Sequence, residues 1–280
     1  MKKFVIRVLN RLKLLKFFNL IHTIELNQHE MIVPIQAGVG FNHLSMSEPW
    51  MIDVLTLLEL KDDEVFIDVG VNIGQTLLKF KTVYSTMDYV GFEPNASCVH
   101  YVEALIEQNK WDRIHLVPSA ISENIGLGIL EHYADDITDS SASIVKNYRE
   151  GSQVYKRDIV TLLDVNSVED IWKSKRVSAI KIDVEGAELG VLKSFQNILK
   201  EDRPYLLVEI LPVYDKDNKK RLNNQIVIEE ILNDLGYMIY RINKNSENKL
   251  KSIELIESID IHSNLDECDY IFSPKVLNFG

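Results

Sequence analysis

Short apolar runs alternate with amphipathic segments over most of this chain. Apolar runs of strand length lie at 65–69, 89–93, 114–117, 177–183 and 205–209, and segments with a helical apolar period lie at 75–84, 96–109, 187–199 and 224–235. Strands that alternate with helices pair in parallel through right-handed crossovers, with helices on both faces of the sheet. The pattern therefore predicts an α/β fold built on a mostly parallel, doubly wound sheet.

The pattern is less regular near the two ends and in one middle segment. Two strand-like runs at 238–242 and 270–273 are joined by a long polar stretch, 243–269, and we expect a C-terminal antiparallel hairpin at the sheet edge. Segment 119–158 is longer than one crossover needs, which predicts either a substrate lid or a surface loop. Nearer the start, 24–44 predicts a strand pair or loop, and 49–60 predicts a helix.

The first segment is basic and amphipathic. On a helical wheel one arc holds most of its large apolar residues, namely Phe4, Val5, Val8, Leu9, Leu12 and Leu15. Such a helix either lies on an anionic membrane surface or covers an apolar patch of its own domain or of a partner subunit, and both interpretations stay open. The predicted organisation is a basic amphipathic helix at 1–22, a lead-in segment at 23–60 and one elaborated domain at 61–280.

Charge and composition narrow the partners. Of 280 residues, 31 are Lys or Arg and 42 are Asp or Glu, a net charge of -11; the first 20 residues hold six basic side chains and no acidic one, so the other 260 carry -17. Affinity for nucleic acid comes mainly from Lys and Arg, so we expect no nucleic acid partner. No apolar run reaches 18 residues, and no signal cleavage pattern is present. We predict a cytoplasmic protein, with peripheral contact of residues 1–20 at the inner face of the membrane as the open alternative.

The segment 65–76, VFIDVGVNIGQT, carries the sharpest chemical signal. An apolar strand ends at Asp68, and Gly70, Asn72 and Gly74 form a tight turn into a helix, which brings backbone N–H groups toward a ligand. Glu93 follows the next strand, where a carboxylate can accept both hydroxyl protons of a ribose. These residues predict a nucleoside-binding site at the carboxyl edge of the sheet.

The spacing G-x-N-x-G differs from the dinucleotide pattern G-x-G-x-x-G. An ionised Asp68 before the turn would repel a pyrophosphate and suits an ammonium group, such as the methionine end of S-adenosylmethionine. The residues therefore favour S-adenosylmethionine over NAD, and a purely structural turn is a weaker third interpretation.

The segment 178–192 carries the second signal. Strand periodicity puts Lys181, Asp183 and Glu185 on one side, and a doubly covered strand cannot easily bury three ionisable groups. We expect Asp183 and Glu185 in or beside the cleft. The alternative is that Glu185 and Glu188 favour the first turn of the following helix.

Four motifs together resemble the FkbM family of class I S-adenosylmethionine-dependent methyltransferases. They are FIDVGVNIGQT at 66–76, GFEPN at 91–95, IKIDVEGAE at 180–188 and DYIFSP at 269–274, and the resemblance runs from about residue 50 to the end of the sequence. It implies a Rossmann-like class I methyltransferase fold, assigns 61–280 to the methyltransferase domain, and implies methylation of oxygen atoms of carbohydrates or natural products. Val71 and Ser194 depart mildly from the family pattern.

The resemblance also implies roles by position. Asp68 would hold the methionine amino group, and Glu93 the ribose hydroxyls. The remaining cofactor-binding residues would be Gly70, Asn72, Gly74, Gln75, Thr76, Pro94, Asn95, Ser119, Ala120 and Ile121. Asp183, Glu185 and Glu209 would face the acceptor as the catalytic residues. We hypothesise that Asp183 or Glu185 is the base, alone or by organising a divalent cation together with Glu209.

The predicted function is S-adenosylmethionine-dependent O-methylation of a sugar hydroxyl in a glycan or glycan precursor. An NAD-dependent oxidoreductase and a non-catalytic nucleoside-binding scaffold are the alternatives. The sequence predicts neither the acceptor's identity nor the oligomeric state.

Overall fold

The computed structural model describes residues 2–45, 47–149, 151–172 and 175–277. Its helices are α1 (Lys2–Arg11), α2 (Trp50–Leu57), α3 (Gln75–Val83), α4 (Ala96–Asn109), α5 (Glu188–Ser194), α6 (Gln196–Glu201) and α7 (Lys219–Asp234). Its strands are β1 (Asn19–Leu26), β2 (His29–Gln36), β3 (Val65–Val69), β4 (Asp88–Phe92), β5 (Ile114–Val117), β6 (Ala120–Ile121), β7 (Gly126–His132), β8 (Lys156–Leu163), β9 (Val177–Ile182), β10 (Tyr205–Glu209), β11 (Met238–Lys244), β12 (Leu250–Ile256) and β13 (Asp269–Ser273).

An eight-stranded sheet with the order β12-β11-β13-β10-β9-β3-β4-β5 forms the centre. Strands β5, β4, β3, β9 and β10 are parallel to their neighbours in this run, whereas β13 is antiparallel to both β10 and β11. The chain order reverses between β3 and β9, and ligands of open α/β sheets bind outside the carboxyl ends of strands at such a switch point. The predicted Rossmann-like α/β fold is confirmed.

The C-terminal hairpin differs from its prediction in one detail. Strands β11 and β13 pair antiparallel, but β13 lies inside the sheet and β12 forms its edge. The polar stretch expected to be only a connection contains β12. The apolar residues of this strand do not alternate strictly with polar ones, and most of its residues are exposed, as is common in edge strands.

Both faces of the central sheet are covered, which explains the continuous apolar runs of its strands. Phe66 faces the layer of α2, α3 and α4, and its neighbour Ile67 faces the layer of α5, α6 and α7. By the same alternation, Asp68 shares the face of Phe66. The predicted helix at 187–199 is two short helices, because the backbone leaves the helical conformation at Phe195.

The first helix is shorter than the predicted 1–22. It ends at Arg11, the backbone turns through Lys13 at a φ of 57°, and β1 begins at Asn19. Ile6 packs with Leu15 and three buried residues of the hairpin region, Val33, Ile35 and Leu44. The helix therefore covers an apolar patch of its own chain. No helix of the described ranges is both long enough and apolar enough to cross a membrane.

The long segment 119–158, together with the rest of β8, forms a second, three-stranded sheet with the order β6-β8-β7. Its connecting chain reaches back to the carboxyl edge of the central sheet: Asn95 Nδ2 donates to the carbonyl oxygen of Ile137 at 2.9 Å. The segment is thus an ordered wall over that edge. Whether it opens as a lid stays a prediction.

Candidate functional site

A cavity of about 370 Å³ lies at the carboxyl edge of the sheet, over the switch point. Twelve of the predicted site residues line it: Gly70, Asn72, Gln75, Thr76, Glu93, Pro94, Asn95, Ala120, Ile121, Asp183, Glu185 and Glu209. The other three, Asp68, Gly74 and Ser119, do not line it. A volume of this size suits a nucleoside-sized ligand.

The turn after β3 requires glycine at its first position. Gly70 has a φ of 91°, and a Cβ atom added there would lie 1.9 Å from the carbonyl oxygen of Asp183. Two strands can therefore approach closely at the switch point only because residue 70 has no side chain. Gly74 serves another purpose, since a Cβ there would meet Leu105 of α4 at 3.1 Å. Gly74 thus lies in the predicted turn but packs behind the cavity instead of lining it, and its role in cofactor binding stays a prediction.

Glu93 is held in the wall of the cavity by two backbone donors. Its Oε2 accepts a hydrogen bond from the N–H of Asn72 at 2.7 Å, and its Oε1 accepts one from the N–H of Asn95 at 2.8 Å. Burial raises the pKa of Glu93 to about 7, although these two donors act to lower it. Each carboxylate oxygen keeps a further lone pair, which is what the hydroxyl groups of a ribose would need.

Asp68 lies below the cavity rather than in its wall. The side chain is fully buried, Oδ2 accepts a hydrogen bond from the Tyr89 hydroxyl, and Oδ1 forms an ion pair with Lys181 Nζ at 3.4 Å. Strand alternation turns the side chain beneath the glycine turn, so Asp68 does not line the cavity, and its contact with a ligand's amino group stays a prediction. Ser119 is also buried behind the lining, and its hydroxyl lacks a partner among the described residues.

Lys181 lines the cavity next to Asp68. The two residues are register partners on β9 and β3, and Lys181 Nζ lies 3.4 Å from Asp68 Oδ1 and 3.2 Å from Asp183 Oδ2. It also donates to the carbonyl oxygen of Gly70 at 3.1 Å. Burial alone would lower the pKa of Lys181, but Asp183 and Asp68 raise it. This lysine therefore stays charged and links the glycine turn to the end of β9.

The sequence also contains a signal for the partner of Lys181. A lysine in a strand buried on both faces needs a counter-charge, and Asp68 ends the neighbouring apolar strand. Ser47 and Glu48, which also line the cavity, come from the irregular lead-in segment and carry no comparable signal. Glu48 accepts a hydrogen bond from Lys79 of α3 at 2.9 Å.

Glu209 ends β10 beside two other carboxylates. It is hydrogen-bonded to Asp183, and burial together with Asp183 and Asp269 raises the pKa of Glu209 to about 10. The side chain is therefore protonated at neutral pH and can donate a hydrogen bond. A protonated carboxyl group cannot accept a proton, so Glu209 does not fit the role of a base.

Glu185 faces the wall formed by segment 119–158. Its backbone has a φ of 51°, its Oε2 accepts a hydrogen bond from Arg149 Nη2 at 2.9 Å, and its carbonyl oxygen accepts one from the Ser143 hydroxyl at 2.6 Å. Burial raises the pKa of Glu185 to about 7. These contacts tie the wall to the end of β9, which leaves Asp183 as the better-placed carboxylate for accepting a proton. The Asp183 side chain is 37% exposed.

The predicted metal set is not assembled. Within the described ranges, no group of three or more His, Cys, Asp and Glu side chains is arranged to hold a metal ion. Of the three candidates, Glu185 pairs with Arg149, and Glu209 is hydrogen-bonded to Asp183.

Comparison with known proteins adds a family match to this geometry. The model of the methyltransferase FkbM domain matches residues 68–241. A curated protein named Methyltransferase 1, from Beauveria bassiana, is 26% identical over 156 residues, which are 49% of this chain and 60% of that protein. The chain thus spans about 60% of the length of this relative.

Two solved structures are distant likenesses. A crystal structure of Methyltransferase FkbM from Methylobacillus flagellatus KT gives a TM-score of 0.48 at 16% identity, covering 76% of this chain and 45% of that chain. A SAM dependent methyltransferase from Aquifex aeolicus gives a TM-score of 0.43 at 14% identity, covering 83% of this chain and 92% of that chain.

Proposed function

Because the chain belongs to the FkbM methyltransferase family, we propose that it transfers a methyl group from S-adenosylmethionine to a hydroxyl oxygen of a sugar in a glycan or glycan precursor. The observation that carries this proposal is the charge of the cavity. Among the described residues that line it are six carboxyl-bearing side chains and a single lysine: Glu48, Glu93, Asp139, Asp183, Glu185, Glu209 and Lys181. Glu209 is protonated, but the other five carboxyl groups still outnumber Lys181, and such a lining attracts the sulfonium and ammonium groups of S-adenosylmethionine.

The same charge argues against the NAD-dependent alternative. A pyrophosphate needs cationic partners or free N–H donors. Here Lys181 is already shared by Asp68, Asp183 and the carbonyl oxygen of Gly70, and Glu93 takes up the N–H of Asn72. The first N–H groups of α3 remain as donors, but the phosphates would lie next to the Glu93 and Asp183 carboxylates, and no cation is free among the described lining residues to offset their charge.

The lining residues fit the parts of the cofactor. Glu93 would take the ribose hydroxyls, and the apolar side chains of Pro94, Ile121, Leu130 and Ile144 would enclose the adenine. The start of α3 at Gln75 and Thr76 would meet the methionine carboxylate, since the first N–H groups of a helix favour an anion. Asp68 would act through Lys181 rather than by direct contact.

Bound S-adenosylmethionine supplies a methyl group that its sulfonium already activates, so placement of the acceptor is the main task of the chain. A sugar hydroxyl is a weak nucleophile and must lose its proton during the transfer. We propose that Asp183, which directly follows β9 at the switch point and is partly exposed to the cavity, accepts this proton. Lys181 orients the Asp183 carboxylate from one side, and protonated Glu209 does so from the other.

Ligand-dependent thermal unfolding tests the cofactor. We expect S-adenosylhomocysteine to raise the melting temperature and NADH to leave it unchanged, because binding to the folded state alone stabilises it. Glu93→Gln should weaken the effect of S-adenosylhomocysteine, whereas Glu103→Gln, an exposed control on α4, should not. Stabilisation by NADH and not by S-adenosylhomocysteine would refute the proposal.

A further inference from the structure

The first helix and the turn after it expose a stripe of large apolar side chains. Phe4 is 73% exposed, Leu12 60% and Phe17 69%, and Val5 and Val8 are also exposed. Positions 4, 8 and 12 recur at about one helical turn, so they form one continuous line. Exposed apolar groups in such a line mark a contact surface. We call Phe4, Val5, Val8 and Leu12, together with the exposed Phe17 of the 3₁₀ turn that follows the helix, the apolar stripe.

The stripe is not the face by which the helix is attached to the protein. Ile6 and Leu15 are buried against Val33, Ile35 and Leu44 of the hairpin region. Residue 6 lies opposite residues 4 and 8 on the wheel, so the anchoring contacts fix the helix with its stripe pointing outward. The rest of the described chain leaves the stripe uncovered.

Basic side chains flank the stripe. Lys3, Arg7, Arg11, Lys13 and Lys16 are all exposed, and in the described part of the chain none of them pairs with a carboxylate. Arg7 and Arg11 lie on the wheel beside Phe4, at the edge of the stripe. The first 20 residues contain no acidic side chain, while the other 260 carry -17. The surface is thus apolar in its centre and cationic at its margin.

We propose that the apolar stripe docks on the surface of an anionic lipid bilayer, with the basic side chains among the headgroups. An interfacial helix of this kind buries one apolar side and keeps its basic residues at the phosphates. A second copy of the chain fits less well, because an isologous contact would bring two sets of basic side chains together at the same patch. Nucleic acid would pair with the charges but would leave the apolar side chains in water.

Vesicle co-sedimentation of the full chain tests the proposal. The probes are phosphatidylcholine vesicles and phosphatidylcholine vesicles that contain phosphatidylglycerol. We expect binding to the anionic vesicles, weak binding to the neutral ones, and loss of binding in about 1 M salt, where charges are screened beyond ~3 Å. Arg7→Gln/Arg11→Gln should lower the partition coefficient about 25-fold, since each basic residue near an anionic surface contributes roughly five-fold.

A triple variant, Phe4→Ser/Leu12→Ser/Phe17→Ser, should lower partitioning by at least about 100-fold. The matched control is Ile125→Ser/Leu127→Ser, which replaces two exposed apolar residues in and next to β7 and should bind as the unchanged chain does. Because all these side chains are exposed, circular dichroism should show unaltered folding.

Three outcomes would overturn the proposal. The first is that the unchanged chain does not bind anionic vesicles. The second is that the triple variant and the Arg7→Gln/Arg11→Gln variant both bind as well as the control. The third is self-association of the unchanged chain that the triple variant abolishes while vesicle binding is absent.

Discussion

Replacement of Lys181 by methionine tests the buried charge arrangement below the cavity. Methionine keeps most of the length of the side chain but removes the charge that offsets Asp68 and Asp183. Asp68 would then lie fully buried with only the Tyr89 hydroxyl as a donor. Asp183 is partly exposed to solvent, so the loss of its ion pair with Lys181 costs less free energy.

Breaking a buried ion pair by removing one partner costs about 3–5 kcal/mol. We expect a loss near the lower end of this range, because burial already raises the pKa of Asp68 and a neutral aspartic acid is cheaper to bury. A carboxyl group with a raised pKa binds a proton more tightly in the folded state, so its contribution to stability falls as pH rises above about 3.9. The loss in Lys181→Met should therefore be largest at neutral pH and shrink as pH falls toward 4.

Urea unfolding at several pH values measures the effect. Lys181→Met/Asp68→Asn should recover most of the lost stability, because the second change removes the unpaired charge. Lys193→Met is the matched control, since Lys193 pairs with Glu123 at the surface and should cost less than about 1 kcal/mol. A loss in Lys181→Met as small as in the control, or no recovery in the double variant, would refute the reasoning.

Three further outcomes follow from the geometry of the site. Gly70→Ala should abolish S-adenosylhomocysteine binding in calorimetry and lower the free energy of unfolding by more than about 2 kcal/mol, because the added Cβ meets the backbone 1.9 Å away. The control is Gly38→Ala, which has a similar φ but open space around it. It should show the backbone strain alone and retain binding. Glu209→Gln should raise the free energy of unfolding by about 1–3 kcal/mol at pH 7, because a carboxyl group with a pKa of about 10 in the fold is held protonated at a cost, and the gain should vanish near pH 4, where the unfolded chain is protonated as well. In the methyl-transfer assay, Asp183→Asn should lower kcat by at least about 100-fold, whereas Glu209→Gln should stay close to the unchanged chain; equal losses in both would contradict the assignment of the base.

The sequence pattern predicts elements best where burial is complete. The runs that became β3 and β10 are apolar except for Asp68 and Glu209, because helices cover both faces of the sheet, and α4 has a clear helical period. Strand β12 was not predicted, because most of its residues are exposed and its apolar residues do not alternate strictly with polar ones.

The site shows a similar division. The positions of the glycine turn and of Glu93 at the cavity were predictable, because a tight turn requires glycine and both segments follow apolar strands whose carboxyl ends meet at one sheet edge. The position of Asp68 below the floor depends on the strand's alternation relative to the cavity, which the motif alone does not contain. Protonation of Glu209 depends on its burial and on Asp183 and Asp269, which belong to other parts of the sheet edge, so no local sequence pattern predicts it.

The proposed O-methylation of a sugar is tested most directly by transfer of isotope-labelled methyl from S-adenosylmethionine to a panel of glycans and nucleotide sugars. We expect label on a sugar oxygen of at least one acceptor with the unchanged chain. Asp183→Asn should reduce the rate of label transfer at least about 100-fold. Absence of label from every acceptor, in a protein that S-adenosylhomocysteine stabilises, would contradict the account and identify the chain as a nucleoside-binding protein without turnover.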